Sequence, residues 1–211
     1  MPVLAYTSPL LLGLVVLSAL ALSSSPNKNL WHLVKQFALC VTVPVIIISA
    51  LLVLLQLIFP HKTLALNAIG IMKLTAFLWT WALMAGGIYS LMVAIGLGKH
   101  LSLVIVFLLI LLMNTTVFYI NPFISSVQDN PALRQSVIKI AVSGNPMLTI
   151  AGSLFHHDLL RARLMYSICD IGPYYFYSYG HWATTAFYCG LIGILTSGFS
   201  LWLTSRAKRD K

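Results

Sequence analysis

The sequence is poor in charge, and above all in acidic charge. Only 8% of its 211 residues are charged, its four acids are all Asp, and 59% of its residues are hydrophobic. A soluble domain of this length has too much surface to cover with so few polar side chains. The composition therefore excludes a soluble protein and predicts a polytopic membrane protein.

Cysteines and local catalytic motifs are also scarce. Cys40, Cys169 and Cys189 show no CxxC spacing, which gives neither a disulfide framework nor a zinc site. The sequence has no GxxxxGK[ST] loop for binding a nucleotide and no GxSxG motif for hydrolysis. We therefore expect no catalytic residue, no metal and no cofactor, and we expect that the chain is not an enzyme.

Long apolar runs are what the sequence does contain. Five of them approach or exceed the roughly 20 residues that cross a bilayer core, and a lone segment in lipid must be helical to satisfy its backbone. The first run lacks the basic n-region of a signal peptide, so we expect it to remain as an uncleaved span. The predicted spans are 8–23, 37–59, 74–97, 101–120 and 182–204. The predicted fold is all-α: a single integral membrane domain, 1–211, with about five transmembrane helices and an outer amphipathic or re-entrant helical segment at 121–181.

The basic residues predict the orientation. The net charge is +9, but the cations lie in short loops and at the C-terminus, which is typical of a positive-inside bias rather than of nucleic-acid binding. The loop 24–35, the turn at Lys99 and the tail 205–211 together hold seven Lys and Arg. We therefore expect these segments in the cytoplasm and the N-terminus outside, in a bacterial inner membrane. Lys73, at the edge of a span, is expected to extend to the interface, with a buried functional role as the alternative.

The segment 121–181 contains three of the four acids and three Asn-Pro dipeptides. The first two dipeptides, at 121 and 130, predict turns, because a residue before proline avoids the helical region. The third predicts a helix start, with Asn145 as N-cap and Pro146 in the first turn. Apolar residues then recur at three- and four-residue steps, which predicts an amphipathic helix along the outer interface. The aromatic cluster at 174–179 is expected to anchor the chain there.

The histidines of this segment raise the possibility of a ligand site. His156 and His157 are adjacent, so on a helix their side chains diverge by about 100° and do not converge on one ion. His157 or Asp158 with Arg161 makes a better interfacial pair. Haem held between His181 and His157 is an alternative, and ordinary interfacial histidines are the simpler interpretation. Glycines within the spans, among them Gly87, Gly96, Gly190, Gly193 and Gly198, predict close helix packing.

Three stretches resemble the membrane subunit of ABC-2-type transporters, from that family's second span onward. They are LSSSPNKNLWHLVKQFAL (22–39), GLGKHLSLVIVFLLILL (96–112) and GNPMLTIAGSLFHHDLLR (144–161), and they occur in family order. The family's first span and its amphipathic N-terminal helix have no counterpart in this sequence. The resemblance implies outer re-entrant or interfacial helices before the last span, a second membrane subunit and cytoplasmic ATPase subunits.

The resemblance also assigns roles to residues. It implies that the loop around Pro26, Asn27, Lys28, Asn29 and Trp31 contacts the ATPase, and that Asn145, Pro146, His157, Asp158 and Arg161 belong to the outer helical segment. The chain would be a permease-like subunit moving an amphiphilic or lipid-like substrate. An ordinary loop held at lipid headgroups by Lys28 and Trp31 is the simpler reading of 24–35. The alternatives for the whole chain are an accessory structural or haem-associated subunit of a respiratory-type complex, and a membrane enzyme using the outer Asp and His residues.

Overall fold

The computed structural model describes residues 46–47, 50, 68–154, 158, 160 and 177–209, and within these ranges it is helical with no strand. The all-helical prediction is confirmed. Three described helices are long and apolar enough to cross a membrane, or four if a bent helix pair forms one span. The predicted first span lies outside the described residues, as does all of the second except three helical positions. The count of five spans therefore stays a prediction.

The described helices differ widely in length, from a single turn to 28 residues. They are α1 (Ala68–Ala94), α2 (Lys99–Tyr119), α3 (Asn121–Ser126), α4 (Pro131–Ser143), α5 (Pro146–Thr149) followed by a π-helical turn (Ile150–Leu154), and α6 (Trp182–Arg209). α1, α2 and α6 are the three helices suited to span a membrane. α1 begins six residues before its predicted span, because the mostly apolar stretch before residue 74 continues the same helix. α6 runs on to Arg209, because polar residues continue a helix that a hydrophobicity pattern does not register.

A tight turn after α1 reverses the chain. Gly96 has φ +102°. The N–H of Leu97 donates to the carbonyl of Met92 (3.1 Å), and the N–H of Gly96 donates to the carbonyl of Val93 (3.0 Å). This Schellman pattern requires a residue that tolerates positive φ, which is why glycine ends α1 here. α2 then starts at Lys99 and returns antiparallel to α1.

α6 packs along α1 in the parallel direction. The Lys73 Nζ lies 5.8 Å from the centroid of the Trp182 ring at one end, and the Ser200 hydroxyl donates to the Ser90 carbonyl (2.9 Å) near the other. Small residues form the seam between them: a methyl group added at Gly193 would lie 2.7 Å from the backbone carbonyl carbon of Leu83. The predicted close packing at Gly87, Gly190 and Gly193 is confirmed, whereas Gly96 and Gly198 have no neighbour within 4 Å of an added methyl.

This parallel arrangement places the turn at Lys99 and the C-terminal end of α6 at the same end of the bundle. The described parts of the chain between α2 and α6 lie towards the other end. The main apolar core lies between α1, α2 and α6 and is centred on Phe77 and Trp81, which are 0% and 1% exposed. α2 and α6 carry many exposed large apolar side chains on the faces that point away from this core. Such faces are what a lipid-contacting helix presents.

All three Asn-Pro dipeptides open helices. Asn121-Pro122 begins α3, Asn130 caps α4, and Asn145 caps α5. The prediction of an N-cap at Asn145 is confirmed, and the turns predicted at the first two dipeptides prove to be helix starts. Proline fits the first turn of a helix because its missing N–H would lack a partner there in any case.

The helix predicted to follow Pro146 is described as far as Leu154. It is α-helical to Thr149 and π-helical over Ile150–Leu154, whereas a regular α-helix was expected. The rest of the predicted helix, except Asp158 and Leu160, lies outside the described residues. Leu148 and Thr149 are buried as well as Ile150, Ala151 and Leu154. Because burial is not confined to one face, this piece is packed inside the protein rather than lying on an interface by one apolar stripe.

Candidate functional site

The most distinctive feature of the described chain is a sharply bent pair of helical pieces between α2 and α6. α4 and the unit formed by α5 and the π-helical turn meet at 79° across a break of two residues, Gly144 and Asn145. Pro146 cannot donate to the preceding helix, and the residue before it avoids the helical region, so the chain must turn here. We call this unit, 131–154, the bent pair.

Asn145 holds the apex of the bent pair with both halves of its side-chain amide. Its Oδ1 accepts from the backbone N–H of Leu148 (3.1 Å), which caps α5. Its Nδ2 donates to the backbone carbonyl of Asn114 in α2 (2.8 Å) and reaches the hydroxyl of Thr116 (3.3 Å). The residue is 1% exposed. Because both the oxygen and the nitrogen of this buried amide are hydrogen-bonded, Asn145 joins the start of α5 to α2.

The contact with Asn114 also sets the depth of the apex. Asn114 precedes the end of α2 at Tyr119 by five residues. At 1.5 Å per residue this places the apex about 7–8 Å below the end of α2, on the inner side. Further along, Ile150 and Leu154 join the apolar core formed around α1. The apex of the bent pair therefore packs inside the bundle, and a helix pair bent this sharply has the form of either a broken span or a re-entrant element.

Three buried side-chain polar atoms have no hydrogen-bond partner among the described residues. They are the Oδ1 of Asn114 in α2, the Nε1 of Trp81 in α1 and the Oδ1 of Asn121 at the start of α3. Unpaired polar groups inside an apolar bundle cost free energy, roughly 1–3 kcal/mol each. Such groups are typical of places where a protein meets a polar ligand atom or water.

The chain that returns to α6 closes over the bent pair. An added methyl at Gly152 would collide with the ring of Tyr179, and one at Gly180 would lie 3.1 Å from the Cα of Ser143. The backbone N–H of Trp182 donates to the Ser153 hydroxyl (3.1 Å). Glycine is needed at both positions, because the Tyr179 ring and the Ser143 backbone occupy the space that a side chain would fill.

A carboxyl group and two tyrosines complete this end of the bundle. The hydroxyls of Tyr177 and Tyr179 both donate to Oδ1 of Asp158, at 2.7 and 2.5 Å, and the two rings meet edge to face with centroids 5.6 Å apart. The backbone N–H of Leu160 donates to the Tyr179 oxygen (3.4 Å). Burial, and then the hydrogen bond to Asp158, raise the pKa of Tyr179 far above its usual value. Asp158 thus ties the chain after the bent pair to the chain before α6.

This tyrosine contact gives a first prediction. We expect Tyr179→Phe to destabilise the folded chain by about 1.5–3 kcal/mol, since hydrogen bonds to carboxyl groups are stronger than neutral ones. The matched control is Tyr188→Phe, because Tyr188 is 57% exposed on α6. Thermal unfolding of the purified full chain in detergent measures both, and equal melting temperatures for the two variants would contradict the contact.

The same pair of variants tests the pKa. The folded state holds the Tyr179 proton more tightly than the unfolded chain, so this contribution to stability is complete below about pH 10 and is lost as the pH rises above it. The difference in stability between the wild-type chain and Tyr179→Phe should therefore be constant up to about pH 10 and shrink between about pH 10 and pH 12. A difference that is constant over this range would mean that the hydroxyl is not buried.

The predicted site residues divide into two groups. The structure brings Asn145, Pro146 and Asp158 to one end of the bundle. His157 and Arg161 lie outside the described residues, as does the whole predicted ATPase-contact loop (Pro26, Asn27, Lys28, Asn29 and Trp31). The predicted pair of Asp158 with Arg161 therefore stays a prediction, and the structure adds Tyr177 and Tyr179 as partners of Asp158.

Sequence reasoning missed the partners of the bent pair. Asn114 and Thr116 belong to a short polar run, residues 114–116, in a mostly apolar span, and that run is the signal the sequence offers. The sequence places Tyr177 and Tyr179 in a predicted aromatic belt. Composition alone does not distinguish tyrosines of such a belt from tyrosines that donate hydrogen bonds to a carboxyl group. Within the described ranges no group of three His, Cys, Asp or Glu is placed to hold a metal, and His100 and His181 lie at opposite ends of the bundle.

Comparison with known proteins gives no relative: no family model, no curated protein and no solved structure matches the chain.

Proposed function

We propose that the chain is a permease-like membrane subunit of an ABC-type transporter that couples a partner ATPase to movement of an amphiphilic or lipid-like substrate. The observation that carries the proposal is the bent pair between α2 and α6. In ABC-2-type subunits, which the sequence resembles, re-entrant or interfacial outer helices occupy the position before the last span. The bent pair has the matching place in the chain, and Asn145 fixes its apex within the bundle.

The arrangement of the three long helices supports the same proposal. The turn at Lys99 and the end of α6 share one end of the bundle, as the coupling side requires, and the bent pair is at the other. In the proposed orientation the basic end faces the cytoplasm and the ATPase, and the bent pair faces the outer side of a bacterial inner membrane. The N-terminus would then be outside and the C-terminus in the cytoplasm.

The unpaired buried polar atoms suggest how an amphiphile could be accommodated. Asn114 Oδ1 on α2 can accept a hydrogen bond, and Trp81 Nε1, in the apolar core on α1, can donate one. A polar substrate head would satisfy such groups while its apolar part follows the exposed faces of α2 or α6. Motion of the ATPases, transmitted through the loop around Lys28, would change the packing of these spans around the apex at Asn145.

A pull-down tests the proposal. The full chain carrying a tag is extracted from membranes in mild detergent, and we expect to recover an ATPase subunit with a Walker A motif together with a second membrane subunit. Lys28→Ala and Trp31→Ala should lower ATPase recovery severalfold. Lys139→Ala is the matched control, because Lys139 is exposed on α4 at the opposite end. Absence of any ATPase, or equal recovery from all variants, would refute the coupling assignment.

An accessory subunit of a respiratory-type membrane complex is the second candidate. The observation that favours it is the extent of the exposed apolar faces of α2 and α6, which fit neighbouring helices of a larger assembly as well as they fit lipid. An absorption spectrum of the purified chain distinguishes the two. A Soret band, or recovery of redox subunits in the pull-down, would favour the accessory or haem-associated role over transport.

A further inference from the structure

The C-terminal end of α6 carries an exposed stack of two aromatic rings and one cation. The rings of Phe199 and Trp202 stack with centroids 5.4 Å apart and planes 19° apart. The guanidinium carbon of Arg206 lies 5.6 Å from the centroid of the Trp202 ring. Phe199 is 50% exposed and Trp202 is 52% exposed. We call these three residues the α6 stack.

The helix geometry places the α6 stack at the membrane surface. The span Trp182–Arg206 has 25 residues, or about 37 Å of helix, against a hydrocarbon core of about 30 Å. Because the helix is longer than the core, both ends of a centred span reach the headgroup region, and Trp202 and Arg206 are the last aromatic and the last residue of this span. Tryptophan prefers that depth because its ring is apolar and its N–H is polar.

The Arg206 side chain lies over the Trp202 ring, one turn back along α6. Helical side chains point back towards the N-terminus, which at the end of α6 means back towards the membrane. The contact with the Trp202 ring keeps the guanidinium on the side of the helix where the acyl chains of a lipid would begin. A guanidinium can hold a phosphate with two parallel hydrogen bonds, and the exposed rings below it offer an apolar surface for an acyl chain.

The surrounding charge is complementary to an anion. Lys99 and His100 are exposed at this end of the bundle, and beyond Arg206 the sequence adds three cations, Lys208, Arg209 and Lys211, against one acid, Asp210. The two acids that the structure describes, Asp129 and Asp158, belong to the segment at the opposite end. The field at this end therefore favours negatively charged headgroups over neutral ones.

We propose that the α6 stack is a docking surface for an anionic phospholipid, with the phosphate on Arg206 and an acyl chain along Trp202 and Phe199. The site is independent of the transport proposal, because it would serve equally well in an accessory subunit. It would fix the depth and rotation of α6 relative to the membrane surface.

Spin-labelled lipids test this proposal with the full chain reconstituted in vesicles. The measurement is the association of labelled phosphatidylglycerol relative to labelled phosphatidylcholine. We expect a preference for phosphatidylglycerol that falls about fivefold in Arg206→Gln, the equivalent of roughly 1 kcal/mol for one cation at an anionic surface. Lys139→Gln is the control, a cation removed at the other end. Trp202→Leu should also lower the preference.

Two further arms make the outcome decisive. Arg206→Lys keeps the charge without the planar fork, so it should retain part of the preference, and high salt should weaken the preference of the wild-type chain. Thermal unfolding of each variant checks that it folds. A preference that is unchanged in Arg206→Gln, or that inorganic phosphate at millimolar concentration abolishes, would overturn the assignment to a lipid.

Discussion

Gly193→Ala is expected to lower the melting temperature of the chain, while Gly198→Ala leaves it unchanged or slightly raised. Both glycines lie in the middle of α6, five residues apart, and both are helical. A methyl group at Gly193 would stand 2.7 Å from the carbonyl carbon and 2.8 Å from the carbonyl oxygen of Leu83. At Gly198 the added methyl would meet nothing within 4 Å.

The physical reason is that the obstacle at Gly193 is backbone. Carbon atoms prefer separations of about 3.5–4.0 Å, so α1 and α6 would have to move apart by about 1 Å. No rotamer change can relieve the clash, since Leu83 would have to shift with its helix. Overpacking of this kind costs roughly 1–3 kcal/mol, which exceeds the gain of up to about 1 kcal/mol from replacing glycine by alanine in a helix.

Thermal unfolding of the full chain in detergent, followed by circular dichroism, measures the difference. The separation of the helices should also weaken the hydrogen bond from Ser200 to the Ser90 carbonyl, so the combination with Ser200→Ala should be less than additive. Equal stability of the two glycine variants would show that α6 does not pack on α1 through this seam, and the parallel arrangement of the two helices would lose its support.

The sequence predicted the long helices well because their signal is strong. The predicted span 101–120 agrees with α2 to within two residues, and α6 begins at Trp182 as expected. Long apolar runs leave a chain in lipid no other option than a helix. The ends were less accurate, since Gly96 stops α1 through its backbone conformation and polar residues extend α6 past its apolar run.

The bent pair was harder to predict because its features are long-range. The N-cap at Asn145 depends on neighbouring residues and could be recognised, whereas the bond from Asn145 to Asn114 spans 31 positions. The step from α5 to the π-helical turn changes the periodicity only over Ile150–Leu154, too short a stretch for a pattern to show. The tyrosines that bind Asp158 looked like a belt because aromatic composition does not reveal where a hydroxyl points.

Asn145→Asp should be the most damaging conservative change in the described chain. The introduced carboxylate can still accept from the Leu148 N–H and cap α5, but it cannot donate to the Asn114 carbonyl or to Thr116. It would instead put negative charge 2.8 Å from a carbonyl oxygen at a position that is 1% exposed. The loss of two hydrogen bonds and the burial of a charge together cost about 3–5 kcal/mol.

Asn130→Asp is the matched control for this change. Asn130 has the same capping role, accepting from the Leu133 N–H at 3.1 Å, but it is exposed and precedes Pro131 as Asn145 precedes Pro146. An aspartate is as good a cap as an asparagine, so this variant should melt like the wild-type chain. The difference in stability between the two variants therefore measures the hydrogen bonds that the Asn145 Nδ2 donates, separately from the cap that its Oδ1 provides.

Acidification separates this explanation from general misfolding. A protonated carboxyl group regains a donor hydrogen for the Asn114 carbonyl and loses its charge, so the deficit of Asn145→Asp relative to Asn130→Asp should shrink as the pH falls from 7 towards 5. If the apex of the bent pair anchors the spans as proposed, transport in a reconstituted assembly should fail with Asn145→Asp and persist with Asn130→Asp. A variant at Asn145 that melts and works like its control would mean that the apex is not held by α2, and the bent pair would not be coupled to the bundle.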